Sequence, residues 1–85
     1  MTEQEIRELV LAGMPGAEVE VGGDGYHIEL RVVSDAFDGM SRVKRQQLVY
    51  GILSEAIRSG AVHAVNIRAL TPRENAQSSL GPAGS

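Results

Sequence analysis

Cysteine is absent from the 85 residues, so the chain can form no disulfide framework, offers no thiol nucleophile and brings no thiolate to zinc or iron. Any metal it holds needs other ligands. No apolar run approaches the ~20 residues that cross a bilayer. The N-terminal MTEQEIREL is acidic where a secretory signal would be basic and then apolar. A cytoplasmic protein with no membrane role is expected. Aromatic residues are scarce, with two tyrosines and one phenylalanine, and none stands beside the basic residues Arg42, Lys44 and Arg45 to stack a base. A large excess of positive charge is also missing. The net charge is −3, which counts against a protein that binds chiefly by neutralising phosphates.

The two signs are unevenly placed. Residues 1–40 carry two basic and nine acidic side chains, whereas residues 41–85 carry six basic and two acidic. Ordinary solvated surface with internal charge complementarity accounts for such asymmetry, and a partner-binding patch centred on Arg42 to Arg45 is the alternative. Hydrophobic residues make up 42% of the chain, enough for one modest core in one small domain. A deep enzymatic cleft is hard to fit. Acid–base chemistry needs paired groups in a dry pocket, and most carboxylates here fall on alternating, solvent-facing positions. No catalysis is expected.

Ile6, Leu9, Val10 and Met14 recur at three- and four-residue spacing, which predicts a helix from Thr2 to about Met14. Thr2 and Glu5 spell a capping box at its start, and Pro15-Gly16 stop it. Ala17, Val19 and Val21 then alternate with Glu18 and Glu20, the period of a half-buried strand. Gly22-Gly23-Asp24-Gly25 reads as a tight hairpin loop. It lacks the GxxxxGK pattern of a phosphate-cradling loop, and it joins two strands rather than a strand and a helix. A second strand is predicted from Tyr26 to Ser34, with Tyr26, Ile28, Leu30 and Val32 on one face and His27, Glu29, Arg31 and Val33 on the other.

Asp35 to Gly39 reads as a turn whose Phe37 plugs the core edge. Ser41 caps a second helix running to about Ser59, ended by Gly60. Val43, Val49, Leu53, Ala56 and Ile57 form most of its buried stripe, and Arg42, Lys44, Arg45, Gln46 and Gln47 its solvent side. Gly51 is a mid-helix weakness of about 1 kcal/mol against alanine, read as allowing close packing. His63 to Leu70 is the third strand, with Val65, Ile67 and Ala69 on one face, and Thr71-Pro72 ends it. The domain therefore spans residues 1–74. Residues 75–85, rich in Ser, Gly, Ala and Gln, read as a disordered tail, with a helix reaching Arg73 to Gln77 as the alternative. The resulting class is α+β, in the order αββαβ, with two helices on one face of a three-stranded sheet.

The VVSDAFDG segment, Arg45, Val49-Tyr50, His63-Ala64 and Thr71-Pro72, taken in this order over about residues 5–74, resemble the BolA family. The KRQQ run and the short first loop are similar to its IbaG/YrbA-like branch. Many members have Arg-His-Arg where this chain has Arg45-Gln46-Gln47. Many also have a longer first loop offering a cysteine or histidine. The resemblance implies a type II KH-like fold, often with a short helical turn before the last strand.

It further implies partnership with a monothiol glutaredoxin, the two proteins sharing a [2Fe–2S] cluster with glutathione and holding none when apart. The histidine of the HA motif, His63, would be one ligand, and histidine on one iron of such a cluster has precedent in Rieske centres. His27 is the nearest imidazole to the first loop and a candidate second ligand. Asp24 lies nearer the family's ligand position, but a hard carboxylate is an uncommon cluster ligand. The competing role for His63 is that of a strand-entrance residue, and for His27 that of a solvent-facing sheet residue. Family members linked to transcriptional control and stress response suggest a second function, nucleic-acid binding through Arg42, Lys44, Arg45 and Arg68, with DNA as the partner. Alone, the protein is expected to be a monomer or weak homodimer, an exposed edge strand being able to pair with a copy of itself.

Overall fold

The computed structural model describes residues 2–23, 27–62 and 64–80, the last three by backbone alone. Helix α1 (Glu3–Gly13) starts where Thr2 Oγ1 accepts from the Glu5 amide while the Glu5 carboxylate accepts from the Thr2 amide, the capping box its sequence spells. Those hydrogen bonds hold the Glu5 carboxyl below its ordinary value. Its stripe of Ile6 and Val10 is buried. Strands β1 (Glu18–Gly23) and β2 (His27–Val33) pair antiparallel from Glu18 opposite Val33 to Gly23 opposite Ile28. Strand β3 (Ala64–Leu70) joins β2 in parallel, His27 opposite Ala64 and Val33 opposite Leu70. The sheet order is β1-β2-β3.

A parallel pair needs a crossover, and α2 (Arg42–Arg58) supplies it after a short 3₁₀ turn at Asp35–Phe37. That short turn precedes α2; no helical turn precedes β3 among the described residues. Ser41 caps α2 by accepting from the Lys44 amide. Gly60, with φ of +83°, takes the left-handed conformation that closes it. Both helices lie on one face of the sheet. Ile6 and Val10 of α1, Val49, Leu53 and Ala56 of α2, and Ile28, Leu30, Val32, Ile67 and Ala69 of the strands form one cluster that includes Phe37. Phe37 is fully buried, and truncating a phenylalanine so placed costs about 3–5 kcal/mol.

Three expectations about α2 and the C-terminus are corrected. Val43 is 64% exposed, because the buried stripe runs Arg45, Val49, Leu53 and Ala56, one helical face on which Val43 does not lie. Gly51 faces open space: a Cβ there would meet nothing within 4 Å, so it permits no close internal contact. The close contact is at Gly13, where a Cβ would lie 2.8 Å from Ile52 Cδ1. Residues 75–80, read as the start of a disordered tail, belong to helix α3 (Pro72–Leu80).

The reason for α3 is local. Thr71 Oγ1 accepts from the Glu74 amide while Glu74 Oε1 accepts from the Thr71 amide, a second capping box with Pro72 at the first helical position. Among the described residues no helix is long and apolar enough to cross a membrane.

Candidate functional site

His63 and Asp24 lie outside the described residues, so the ligand reading is carried here by their described neighbours. His27 is the first residue of β2 and is exposed. Its Cα partner on β3 is Ala64, the residue that follows His63 in the sequence. Gly23, which precedes Asp24 in the sequence, is paired with Ile28 on the other side of β2. Its φ of +97° and a Cβ position that would run into the His27 carbonyl oxygen restrict it to glycine. The N-terminal ends of β2 and β3 therefore share one end of the sheet with the close of β1. Among the described residues no group of three or more His, Asp or Glu could hold a metal ion.

The face of the sheet away from the helices is a polar ladder. Arg31 forms an ion pair with Glu20, its register partner on β1. On the other side Asn66 Nδ2 donates to Glu29 at 3.3 Å across the β2–β3 pair. Arg68, in register with Arg31, is exposed, and no carboxylate among the described residues pairs with it.

The four basic candidates separate. Arg42, Lys44 and Arg68 are exposed, whereas Arg45 is only 9% exposed and does not belong to the solvent side of α2. Its methylene stem fills a position of the buried stripe while its head reaches acceptors. Nε donates to Met40 O at 3.1 Å, and Nη1 donates to Ala69 O at 3.2 Å and to Glu74 Oε1 at 2.6 Å. Nη2 donates to Glu74 Oε2 at 3.3 Å, completing a two-pronged ion pair. The guanidinium carbon also sits 5.9 Å from the centre of the Phe37 ring. One side chain thus ties together the turn before α2, β3 and α3. Arg45 hydrogen bonding first, and then the Thr71 amide, lower the Glu74 carboxyl from 4.5 to about 2.

Gln46, also assigned to the solvent side, is half-buried. Its Nε2 donates to Ile67 O at 2.8 Å. Tyr50 Oη donates to Val65 O at 3.4 Å, one turn further along α2. Arg45, Gln46 and Tyr50 therefore cap the carbonyls of Ala69, Ile67 and Val65, the alternate residues whose polar groups point away from β2. An edge strand with unpaired carbonyls is a template for other chains, and α2 covers that edge with side-chain donors. The sequence reading missed Gln46, Tyr50 and Glu74. The Thr71-Pro72-Arg73-Glu74 pattern could have revealed Glu74, being the same capping box recognised at Thr2. No pattern signals the Gln46 and Tyr50 contacts, which depend on how α2 crosses β3.

Between α2, β3 and α3 opens a groove of about 490 Å³, bordered by Arg42, Gln46, Arg68 and Gln77 with the Arg45–Glu74 pair among its walls. A shallower hollow of about 290 Å³ lies on the polar sheet face beside Glu20, Glu29 and Arg31, and Arg68 borders both.

The family profile described as BolA-like protein matches residues 12–74. The acid stress protein IbaG of Escherichia coli K12 is 47% identical over 74 residues, covering 87% of this chain and 88% of its own length. Among solved structures, a BolA homologue from Coxiella burnetii superposes with a TM-score of 0.78 at 30% identity, covering 88% of this chain and 96% of that one. The BolA domain of SufE1 from Arabidopsis thaliana gives a TM-score of 0.75 at 39% identity, covering 85% of this chain and 93% of that one.

Proposed function

The chain belongs to the BolA family, and from that membership we propose that it is an accessory protein of iron–sulfur cluster trafficking or iron homeostasis, without catalysis of its own. It acts by forming a complex with a monothiol glutaredoxin, and the two share a [2Fe–2S] cluster. The observation that carries this reading is the pairing of His27 with Ala64, since Ala64 follows His63 in the sequence and His27 follows the first loop. A chain without cysteine contributes no thiolate of its own. His63 and His27 would hold one iron, while the glutaredoxin and glutathione bring thiolates to the other.

Imidazole in place of thiolate raises the potential of such a cluster. The role of this chain's own residues is to present those nitrogens from a rigid sheet end, and the strand pairing of His27 supports that role. The BolA domain of SufE1 among the similar structures fits a protein of this metabolism. Nucleic-acid binding is the lesser reading. Arg45 is engaged internally, and no aromatic side chain lines the groove beside Arg42 and Arg68.

The test is anaerobic mixing with a monothiol glutaredoxin that carries its glutathione-ligated cluster, read by visible circular dichroism and size-exclusion chromatography. The expected result is a one-to-one cluster-bearing complex with a changed spectrum, lost in His63→Ala and altered in His27→Ala. A mixture with neither a complex nor a spectral change contradicts the proposal. An unchanged spectrum in His63→Ala removes that residue from the site.

A further inference from the structure

The groove between α2, β3 and α3 has an unusual balance of hydrogen-bonding groups. The Ile67 and Ala69 carbonyls and the one carboxylate in it are engaged. Gln46 donates to the Ile67 carbonyl, Arg45 donates to the Ala69 carbonyl, and the Glu74 carboxylate takes Arg45 and the Thr71 amide. Its donors are not. In an extended strand the amide and carbonyl of one residue point to the same side, so the Ile67 and Ala69 amides face away from β2, as their carbonyls do. No acceptor among the described residues reaches either amide. Arg42 and Arg68 border the same groove, exposed and without a carboxylate partner among the described residues. Three arginines face it against one glutamate, and that glutamate is already bound by one of them. Arg42 is also the first residue of α2, where the helix adds partial positive charge and its first turn holds no acidic side chain.

A surface whose outward-facing backbone carbonyls and single carboxylate are already engaged, while amides and arginines stay open, favours ligands rich in acceptors and negative charge. A peptide strand is a poor match, because half of its backbone groups are donors and would find the carbonyls of β3 occupied. Long nucleic acid is a poor match as well, since only two unpaired arginines and no aromatic platform line the groove. About 490 Å³ exceeds what one phosphate group fills. We propose that this groove is a binding site for a compact small-molecule polyanion carrying phosphate or carboxylate groups. Arg42 and Arg68 clamp the anionic groups from two sides, and the Ile67 and Ala69 amides donate to their oxygens. The site is at the Leu70 end of β3, away from the Ala64 end that carries the proposed cluster ligands, and it is independent of that role.

The full chain is titrated at constant ionic strength with inorganic pyrophosphate in one arm and citrate in the other, and backbone amide resonances are followed by NMR. Saturable shifts of Ile67 and Ala69 are expected, with the stronger arm identifying phosphate or carboxylate as the preferred group. Arg42→Gln combined with Arg68→Gln, both exposed positions, should weaken the affinity at least about tenfold, in line with the loss of charge-assisted donors. Shifts that never saturate, or that are equal in the double variant, overturn the site. So does a single-stranded oligonucleotide that moves the same amides at lower concentration than either small anion.

Discussion

Arg45 and Glu74, twenty-nine residues apart in sequence, face each other in a two-pronged ion pair, Nη1 to Oε1 at 2.6 Å and Nη2 to Oε2 at 3.3 Å. The pair fastens the C-terminal helix to the middle of the fold. The same guanidinium reaches Met40 and Ala69, so its loss removes a donor from three sets of acceptors.

Arg45→Ala should therefore destabilise the protein by about 2–4 kcal/mol, the cost of breaking a largely buried, hydrogen-bonded charge. Urea denaturation measures it. A change below about 0.5 kcal/mol, the ordinary surface range, would show that Arg45 behaves as an exposed residue.

Acid should loosen the same joint. Glu74 titrates near 2 in the folded chain against an ordinary value of 4.5, so between these values the unfolded chain binds more protons and stability rises with pH. The contribution is complete above pH 4.5 and is lost as pH falls toward 2. Thermal midpoints across this interval should fall more steeply in the parent than in Glu74→Gln, whose side chain does not titrate. Parallel curves would contradict the assignment.

Two helical glycines, one closing α1 and one inside α2, should respond differently. Gly51→Ala adds a methyl into open space on a helix and should stabilise by about 0.5–1 kcal/mol. Gly13→Ala pushes its Cβ to 2.8 Å from Ile52 Cδ1 and should give no such gain, because Ile52 must move. Denaturation midpoints of the two variants decide the matter.

Removing the cap on Ile67 O exposes part of the β3 edge. Gln46→Ala should lose about 1 kcal/mol and increase self-association at high protein concentration, which sedimentation velocity detects. A variant as monomeric as the parent would mean that Arg45 and Tyr50 protect the edge without it.

The parts of this fold that follow local rules were legible before any coordinates. Thr2 with Glu5 marked the start of α1, the alternation of Val19 and Val21 with glutamates marked β1, and Ser41 and Gly60 marked the limits of α2. What failed did so because periodicity counts apolar atoms and ignores where a polar head can reach. Arg45 occupies a core position with its stem and satisfies its head on three different elements, so a reading based on residue class placed it in water and put Val43 inside. The tail reading failed for a related reason: the composition of residues 75–80 is that of a flexible segment, but Glu74 supplies both a cap and an anchor. Of the site, His27 fell on the polar face as its strand alternation required. The capped edge of β3 was invisible, since the contacts of Gln46 and Tyr50 exist only after α2 has crossed the sheet.

The Arg45 junction also bears on how the native chain comes apart. Its acceptors belong to Met40, Ala69 and Glu74, so the joint closes only after β3 has docked beside β2 and α3 has turned back toward α2. If the joint closes after the folding transition state, Arg45→Ala speeds unfolding and leaves the folding rate nearly unchanged. A ligand or partner that gripped α3 at this seam would then act as a kinetic brake on unfolding.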